Sequence, residues 1–335
     1  MDNKEINQTA IFYLCIDKIY KKMNLQQLEY IVALDVHRHF STAAEKCFVT
    51  QPTLSMMIQK LEDELNVKIF DRSKQPVVPT EVGKAIIEQA RQILNETLRM
   101  QEIVSMHKEM LEGELRLAII PTLAPYLMPL FLKKFAERYP SVKLHISEMT
   151  TENIILKLKQ SALDVGIMAT PTQDKDLFEN PLFFEEFVVY AAKNESILEK
   201  RYLLANDIDV HRLVLLEEGH CMRSQMINLC ELKQATGMIN NVFYEAGSIE
   251  TLKNMIEIHS GVTILPELSL SNMSKEQLKL VRYFKSPAPV REISLVTHRA
   301  FVKQRLVGVL KAAIMDNLPN NLLKNRPKQV ISIVK

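Results

Sequence analysis

Two cysteines in the second half of the chain have the neighbours that redox chemistry needs. Cys221 and Cys230 lie nine positions apart in the stretch EEGHCMRSQMINLC, with His220 and Arg223 beside the first. The thiolate, not the thiol, is the nucleophile that reacts with an oxidant. The N–H groups at the beginning of a helix and the Arg223 charge favour such an anion, and His220 can add a hydrogen bond. We therefore interpret Cys221 as a candidate reactive thiol.

The spacing of the two cysteines sets a condition on any bond between them. If residues 222–229 are helical, the nine-residue separation corresponds to a rise of about 13 Å, whereas a disulfide needs its Cα atoms within about 7 Å. Cys230 lies with Met226, Ile227 and Leu229 in an apolar stretch, where a thiol stays inert until it is exposed. The pair is either two unrelated buried cysteines, or a reactive thiol and a resolving thiol that bond only when the helix melts.

Composition and charge exclude several classes of protein. The 335 residues are 47% hydrophobic, which is enough for two or three domains with buried cores. The net charge of +2 is no general sign of a polyanionic partner, so any DNA-binding surface must be local. Cys15 and Cys47 complete a set of cysteines too unevenly spaced for a secreted disulfide framework, and no CxxC metal motif occurs. We expect no metal and no cofactor.

The amino-terminal apolar run matches neither an export signal nor a membrane span. Residues 10–20 include Asp17 and Lys18, and no small-residue cleavage site follows them. We predict a protein of the reducing cytoplasm with no membrane partner, where a disulfide is transient. Residues 1–22 are an extra amino-terminal segment, or Met23 is the natural start and Cys15 has no role.

Residues 23–82 predict a winged helix-turn-helix. Apolar residues recur at helical spacing in 25–34, Ser41 is a candidate N-cap for a second helix, and Pro52 suits the first turn of a third. The stretch 67–80 predicts two short strands around a polar turn. Helix, short break, helix and hairpin is the order of elements in this DNA-binding module.

Residues 80–111 carry the longest helical pattern in the chain, which predicts a linker helix. Thr80 can cap it, and two rows with a seven-residue repeat make a seam for a partner helix. The first row is Ile86, Ile93 and Met100, and the second is Ala90, Thr97 and Val104. We predict a homodimer through this seam, because helix-turn-helix proteins read two half-sites as dimers. The alternative is that the helix packs on its own domain.

Residues 113–317 predict an α/β domain of two subdomains with a cleft between them. Short apolar runs separated by helical stretches imply parallel sheets with helices on both faces. The predicted strands are 114–120, 142–149, 163–169, 212–217, 241–246, 262–266 and 293–299. We expect the tail, residues 318–335, to be frayed. The fold class is therefore α/β, preceded by an all-α module with a wing and a long linker helix.

Residues 41–62, STAAEKCFVTQPTLSMMIQKLE, resemble the LysR-type family of transcriptional regulators. The family hallmark is an Ala-Ala pair, then Thr/Ser-Gln-Pro, Ser and a closing Leu-Glu. Here these are Ala43-Ala44, Thr50-Gln51-Pro52, Ser55 and Leu61-Glu62. The resemblance continues through FDR at 70–72, PTEVG at 79–83 and SGVTILPE at 260–267. It implies a two-lobed, periplasmic-binding-protein-like regulatory domain, a homodimer or homotetramer, double-stranded promoter DNA and RNA polymerase as partners.

The third helix presents side chains suited to base edges and phosphates in a major groove. They are Thr50, Gln51, Pro52, Thr53, Ser55 and Gln59. Arg72 and Lys74 lie in the hairpin turn, where a wing reaches the DNA backbone or minor groove. Between Met23 and Val82 eight acidic residues stand against six Lys and Arg, so the positive charge must be focused on one face.

The cysteine stretch resembles the hydrogen-peroxide-sensing (OxyR) branch of this family. The branch has Gly-His-Cys-x-Arg and a second Cys nine residues after the first, and SIETL at 248–252 also follows it. The resemblance implies that Cys221 is the peroxidatic thiol and Cys230 its resolving partner. Ser224 departs from the Asp common in the branch, and Glu245 stands where a basic residue is often found, which bears on the tuning of peroxide reactivity.

The same resemblance implies a peroxide pocket. Its residues are Thr122, Thr151, His220, Arg223 and Arg299. Threonine hydroxyls there would hold the two peroxide oxygens and stabilise the leaving hydroxide.

These features predict a regulator of the oxidative-stress response rather than an enzyme. Peroxide oxidises Cys221, residues 222–229 melt, and Cys230 closes a disulfide that thioredoxin- or glutaredoxin-type reductants reopen. The alternative is a LysR-type regulator that binds a small effector between its two lobes and has incidental cysteines. A thiol peroxidase would explain the cysteine pair and leave the winged helix-turn-helix unexplained.

Overall fold

The computed structural model describes residues 23–106, 111–230, 238–239, 242–243, 246–258, 260–324 and 330–333. The chain divides into two compact units, Met1–His107 and Lys108–Lys335. The predictions for residues 1–22 and for Glu245 fall outside the described residues. Among the helices that the structure describes, none is long and apolar enough to cross a membrane.

The first unit consists of three helices, a short hairpin and one long helix. In chain order these are α1 (Leu25–His37), α2 (Phe40–Lys46), α3 (Gln51–Leu65), β1 (Phe70–Asp71), β2 (Val78–Pro79) and α4 (Glu81–Met106). Pro52 lies in the first turn of α3, as predicted, and Thr50 caps this helix, which was not predicted. The prediction of Ser41 as an N-cap is wrong: α2 begins at Phe40 with His39 in the cap position and no side-chain cap.

The core of the first unit explains its helix order. Buried side chains of α1, α2 and α3 meet those of β1 and the first turns of α4. Thr80 holds the junction, since its hydroxyl accepts a hydrogen bond from Gly83 N–H at 2.9 Å and donates to Lys68 O at 2.7 Å. Gly83 permits this close approach, because a Cβ there would lie 2.0 Å from Ile69 O.

The second unit is built on a mixed sheet with helices. Its strands are β3 (Gly113–Ile119), β4 (Val142–Glu148), β5 (Val165–Thr170), β6 (Leu177–Ala191), β7 (Tyr202–Leu203), β8 (Met238–Ile239), β9 (Val242–Phe243), β10 (Val262–Pro266), β11 (Val281–Phe284) and β12 (Val290–His298). The main order is β4-β3-β5-β12-β6-β11-β7, and β10 also pairs with β6. β3 is parallel to β4 and β5, whereas β12 is antiparallel to β5 and β6. The prediction of parallel sheets is therefore only partly correct: among the described strands, parallel pairing joins β3 to β4 and β5, and β11 to β7.

Strand β6 joins two groups of strands. Its residues 177–186 pair with β12, and its residues 187–191 pair with β10. One fifteen-residue strand thus belongs to both halves of the sheet. The predicted strand at 212–217 is wrong in its extent, because Leu213 and Leu216 form only isolated bridges to Val262 and Ala246.

The helices of the second unit cover this sheet. They are α5 (Ala124–Arg138), α6 (Thr151–Lys159), α7 (Cys221–Leu229), α8 (Ile249–Ile258), α9 (Lys275–Leu278), α10 (Gln304–Met315) and α11 (Asn320–Lys324). The prediction of a frayed tail is wrong for the described residues beyond 317. Leu318, Leu322 and Ile331 are buried in the main core, which ties both tail segments to the domain.

Candidate functional site

The exposed face of α3 contains the side chains predicted to read DNA. The Thr50 hydroxyl accepts a hydrogen bond from Thr53 N–H at 3.4 Å and lies 2.8 Å from Thr53 Oγ1, which fixes the beginning of the helix. The adjoining surface is lined by Gln51, Pro52, Ser55, Met56, Gln59 and Lys60, together with Asp63 and Glu64. A helix with exposed amide and hydroxyl groups along one face is suited to a major groove.

Met56 is a residue of this face that sequence reasoning missed. Its side chain is 62% exposed, although methionine is usually buried. It lies four residues from Pro52 and from Lys60, and this spacing places all three on one helix face. An apolar group in this position can contact the methyl group of thymine. The sequence position of Met56 could have revealed this, because it does not belong to the buried row that Leu54, Ile58 and Leu61 form along the helix.

Arg72 does not project from the tip of the hairpin. Its guanidinium donates to Ser55 Oγ at 3.3 Å and to Glu62 Oε2 at 3.1 Å, and it lies 5.3 Å from the centre of the Phe40 ring. The Glu62 side chain is fully buried. Its Oε1 accepts hydrogen bonds from two backbone N–H groups of the strand region, at 2.8 and 3.1 Å. A buried carboxylate thus fixes a positive charge beside the α3 face.

Lys74 follows the prediction more closely. It lies in the hairpin turn with two thirds of its side chain exposed, and its Nζ is 3.8 Å from Asp71 Oδ2. Such an exposed pair contributes little to stability, so the ammonium group is available for another anion.

The predicted dimer seam lies partly inside the first unit. Ala90 is 1% exposed in the core of its own module, and Ile86 and Ile93 pack against that core. Ala90 is therefore a core residue, as the alternative expected. The Thr97 hydroxyl donates to Leu94 O at 2.7 Å within its own helix. Met100 is 69% exposed.

The side chain of Val104, the remaining seam residue, lies outside the described part of the chain.

The two cysteines of the opening stretch lie at opposite ends of α7. Cys221 is its first residue and is buried, and Cys230 follows its last residue. Both thiols are free. Burial raises the pKa of the Cys230 thiol to about 11. A helix of nine residues separates the thiols by about 13 Å, so they cannot bond while α7 is intact.

The two threonines predicted for the pocket follow neighbouring strand ends. Thr122 follows β3 and Thr151 begins α6 after β4, and these strands are adjacent and parallel. Both side chains are buried. The Thr151 Oγ1 has no hydrogen-bond partner among the described residues, which is unusual for a buried hydroxyl.

The loop before Cys221 packs against the beginning of α6. Gly219 has φ +93°, a conformation that glycine adopts without strain, and a Cβ there would lie 3.5 Å from Thr150 Cγ2. The residue next to Thr151 is therefore in contact distance of the loop that delivers the thiol. Along the chain, Thr151 is one residue and Cys221 two residues from this contact.

The structure places a different arginine beside Thr122 from the one predicted. Arg299 is an exposed turn residue after β12, and its backbone N–H donates to Asp176 O at 2.9 Å. Arg291, near the other end of β12, is fully buried and donates to Thr122 Oγ1 at 3.1 Å and to Glu185 Oε1 at 2.7 Å. Eight residues of strand separate the two arginines by about 26 Å. Arg291, not Arg299, belongs beside Thr122.

His220 and Arg223 are held by the stretch that precedes α7. His220 is buried in the cap position, and its Nε2 lies 3.6 Å from Glu217 Oε1. The Arg223 Nη1 donates to Leu216 O at 2.6 Å, so this guanidinium is anchored to the backbone bridge at 216. Both side chains therefore stay near the beginning of α7.

No cluster that could hold a metal ion occurs among the described residues. A model of the LysR substrate binding domain matches residues 108–319, and a model of the bacterial regulatory helix-turn-helix protein, lysR family, matches residues 25–84. The chain belongs to the LysR family.

Two relatives and one solved structure are similar to this chain over most of its length. The hydrogen peroxide-inducible genes activator of Pectobacterium carotovorum subsp. carotovorum is 35% identical over 274 residues, covering 82% of this chain and 90% of that protein. The DNA-binding transcriptional dual regulator OxyR of Escherichia coli (strain K12) is 34% identical over 274 residues, covering 82% and 89%. A solved structure of a full-length OxyR variant from Pseudomonas aeruginosa has a TM-score of 0.73 at 34% identity, covering 88% of this chain and 98% of that one.

Membership of the LysR family gives the two units their general roles. The first unit is a helix-turn-helix that binds DNA, and the second is the α/β regulatory domain of a LysR transcriptional regulator. The fold predicted from the sequence is confirmed in class, with the sheet mixed rather than parallel.

Proposed function

We propose that this LysR regulator senses hydrogen peroxide through Cys221 and responds by forming a disulfide with Cys230. The observation that carries the proposal is a free, buried Cys221 at the first turn of α7. The loop before it lies against Thr150, next to a Thr151 hydroxyl that has no partner among the described residues. The similarity to hydrogen peroxide-inducible genes activators supports the choice of oxidant.

The first chemical step takes place at the Cys221 sulfur. Its thiolate attacks one peroxide oxygen, an S–O bond forms, and the O–O bond breaks. The leaving hydroxide takes a proton and departs as water, which leaves a sulfenic acid on Cys221.

The pocket residues have separate roles in this step. The Thr151 hydroxyl can bind a peroxide oxygen without giving up an existing bond, because it has no partner among the described residues. Thr122 is oriented by Arg291, whose charge stabilises the developing hydroxide. His220 and Arg223 hold the cysteine end of the pocket. Arg291 replaces Arg299 in this assignment.

The second step requires α7 to unfold. The Cys230 sulfur attacks Cys221, an S–S bond forms, and the hydroxyl group of the sulfenic acid leaves as water with the Cys230 proton. Two thiols are oxidised and one peroxide is reduced to two waters. A thioredoxin- or glutaredoxin-type dithiol returns the two electrons.

The disulfide changes regulation rather than sustaining turnover, so we infer that the protein is not an enzyme. Its partners in this proposal are double-stranded promoter DNA, RNA polymerase and further copies of the chain, as a homodimer or homotetramer in the cytoplasm. In this proposal, the exposed face of α3 contacts bases and phosphates through Gln51, Pro52, Ser55, Met56 and Gln59. The neighbouring residues Thr50, Thr53, Arg72 and Lys74 flank this face. Ile86, Ile93 and Met100 are the described residues that remain available to a partner helix.

Counting thiols tests the proposal. The reduced protein is treated briefly with about one equivalent of hydrogen peroxide, quenched, denatured, and titrated for free thiols. We expect loss of two thiols in the unaltered protein and in a Cys47→Ser control, and no disulfide in Cys221→Ser. A regulator that responds to a small effector and has incidental cysteines would keep all its thiols over the same interval. That result would overturn the proposal. Repeated peroxide consumption with a reductant at enzymatic rates would instead indicate a peroxidase.

A further inference from the structure

Residues 330–333 lie between the cysteine helix and the strand that carries the pocket arginine. On one side, Val330 forms a parallel bridge with Val290, and Ile331 N–H donates to Val290 O at 2.8 Å. Val290 directly precedes Arg291 in β12. The Ile331 side chain is buried, and Ile333 packs against the same core. The segment is therefore fixed to the domain at the beginning of β12.

On its other side, the same segment receives two hydrogen bonds from α7. Gln225 Nε2 donates to Ile331 O at 2.9 Å, and Asn228 Nδ2 donates to Ser332 O at 3.0 Å. Gln225 and Asn228 are three residues apart, so they lie on one face of the helix. Both belong to the stretch between the two cysteines. Any unfolding of that stretch must break both bonds or carry residues 330–333 with it.

Only one of the two polar atoms of the Gln225 amide has a hydrogen-bond partner among the described residues. Its side chain is fully buried, its Nε2 is bonded to the segment, and its Oε1 has no partner among the described residues. A buried acceptor without a partner costs free energy that solvent exposure returns. The contact therefore holds α7 in place, and part of the cost of breaking it is recovered when the helix opens.

We propose that residues 330–333 are a latch that keeps α7 helical in the reduced protein and so sets how readily the Cys221–Cys230 disulfide forms. This inference rests on the proposed function for its redox consequence. Its structural part, the hold on α7, does not depend on peroxide chemistry. Gln225 and Asn228 are positioning residues, since they act through the helix rather than on the reacting sulfur atoms.

Hydrogen exchange of the reduced protein tests the hold on α7 directly. A variant that ends at Gln329 is compared with a matched control that ends at Ile333. We expect amides of residues 222–230 to exchange roughly 10- to 100-fold faster in the shorter variant, because two hydrogen bonds to the helix are lost. Amides of β3 should exchange at the same rate in both. Equal rates in α7 would overturn the latch, and if exchange is faster throughout the domain, the side-chain variant described next decides the question.

A side-chain variant keeps the test valid if the shortened chain folds poorly. Gln225→Met retains the volume and removes the donor to Ile331. It should speed exchange in α7 in the chain that ends at Ile333 and have no further effect in the chain that ends at Gln329. Additive effects of the two changes would mean that they act independently, which contradicts the latch.

The redox consequence is measured as an equilibrium. The ratio of disulfide to dithiol is determined in buffers of oxidised and reduced dithiothreitol for both chain lengths. Loss of the latch should raise the equilibrium constant for disulfide formation by the same factor as the exchange rate. An unchanged constant would contradict the redox part of the latch. If no disulfide formed even in the control, the proposed function would fail, and the exchange experiment would still decide whether the segment holds α7.

Discussion

Each unit of the protein contains a glutamate with a fully buried side chain that holds an arginine. In the DNA-binding unit, Glu62 accepts hydrogen bonds from two backbone N–H groups and pairs with Arg72. In the regulatory domain, Glu185 accepts from Leu268 N–H at 3.0 Å and pairs with Arg291. The arginine of each pair also donates a hydrogen bond to a hydroxyl group, that of Ser55 in the first unit and that of Thr122 in the second.

The difference between the two pairs is the environment of the arginine. The Arg72 side chain is 35% exposed, whereas that of Arg291 is fully buried. A guanidinium that is one-third exposed beside α3 can still meet a phosphate. In the proposed pocket, the buried Arg291 guanidinium lies beside Thr122 in a region of low dielectric constant, where its charge acts more strongly on a small polar ligand. In our proposal, the same arrangement of glutamate, arginine and hydroxyl group thus serves a DNA-binding surface in the first unit and a peroxide pocket in the second.

Removing Glu185 should have the largest effect. Glu185→Ala leaves the buried Arg291 charge without its partner, so we expect a loss of about 3–5 kcal/mol in the free energy of unfolding of the regulatory domain. Urea unfolding followed by circular dichroism measures it. Glu137→Ala, at an exposed position of α5, is the matched control and should change stability by less than about 0.5 kcal/mol. Equal effects of the two substitutions would show that the Arg291 pair has no special role.

Removing Glu62 should cost less. Glu62→Ala leaves two backbone N–H groups of the strand region unsatisfied, for a loss of about 2–3 kcal/mol, while Arg72 can turn to solvent. We also expect weaker binding to promoter fragments, because Arg72 loses the contact that fixes it beside α3. Fluorescence anisotropy measures the affinity. The exposed Glu45→Ala variant should retain both properties. A Glu62 variant less stable than the Glu185 variant would reverse the comparison.

The partly buried Cys230 thiol gives a third, smaller effect. Burial raises the pKa of Cys230 to about 11, above the value of about 8.5 in an unfolded chain. The neutral thiol is therefore favoured in the folded state. Its contribution to stability is complete below about pH 8.5 and is lost as pH rises through about 11. Allowing for the partly exposed side chain, we expect the stability difference from Cys230→Ser to change by about 1–2 kcal/mol between pH 8 and 11. A pH-independent difference would contradict this account.

The smallest effect on stability should come from Thr151. Thr151→Val removes a hydroxyl that has no partner among the described residues, so stability should change by less than about 1 kcal/mol. The rate of Cys221 oxidation by peroxide should nevertheless fall on the order of 100-fold. Thr172→Val is the control: it loses a hydrogen bond of 2.6 Å to Glu179 and should leave the rate unchanged. A normal rate in Thr151→Val would remove this residue from the pocket.

The sequence predicted the DNA-binding unit better than the regulatory domain because its signals are local. Thr50 and Pro52 mark the beginning of α3 through their own backbone chemistry. The direction of strands is not local: β12 lies antiparallel to β5 although helices alternate with strands before it. Strand β6 contains Pro181 and several glutamates, which hide a fifteen-residue strand from pattern reasoning.

Local and non-local signals also differ in the candidate site. Cys221 and Cys230 could be placed from their spacing, since both belong to one helix. The choice between Arg291 and Arg299 depends on which end of β12 lies near Thr122, and this follows only from the sheet register. The 330–333 segment was expected to fray, although its apolar residues, such as Ile331, were a sign of burial.

The central claim is that oxidation of Cys221 changes how the regulator contacts DNA. The most direct test is a footprint on the region upstream of its own gene, made with the reduced protein and again after peroxide treatment. We expect the protected positions to differ between the two states in the unaltered protein and to be identical in Cys221→Ser. The same footprint before and after oxidation of the unaltered protein, with the disulfide formed, would contradict the account.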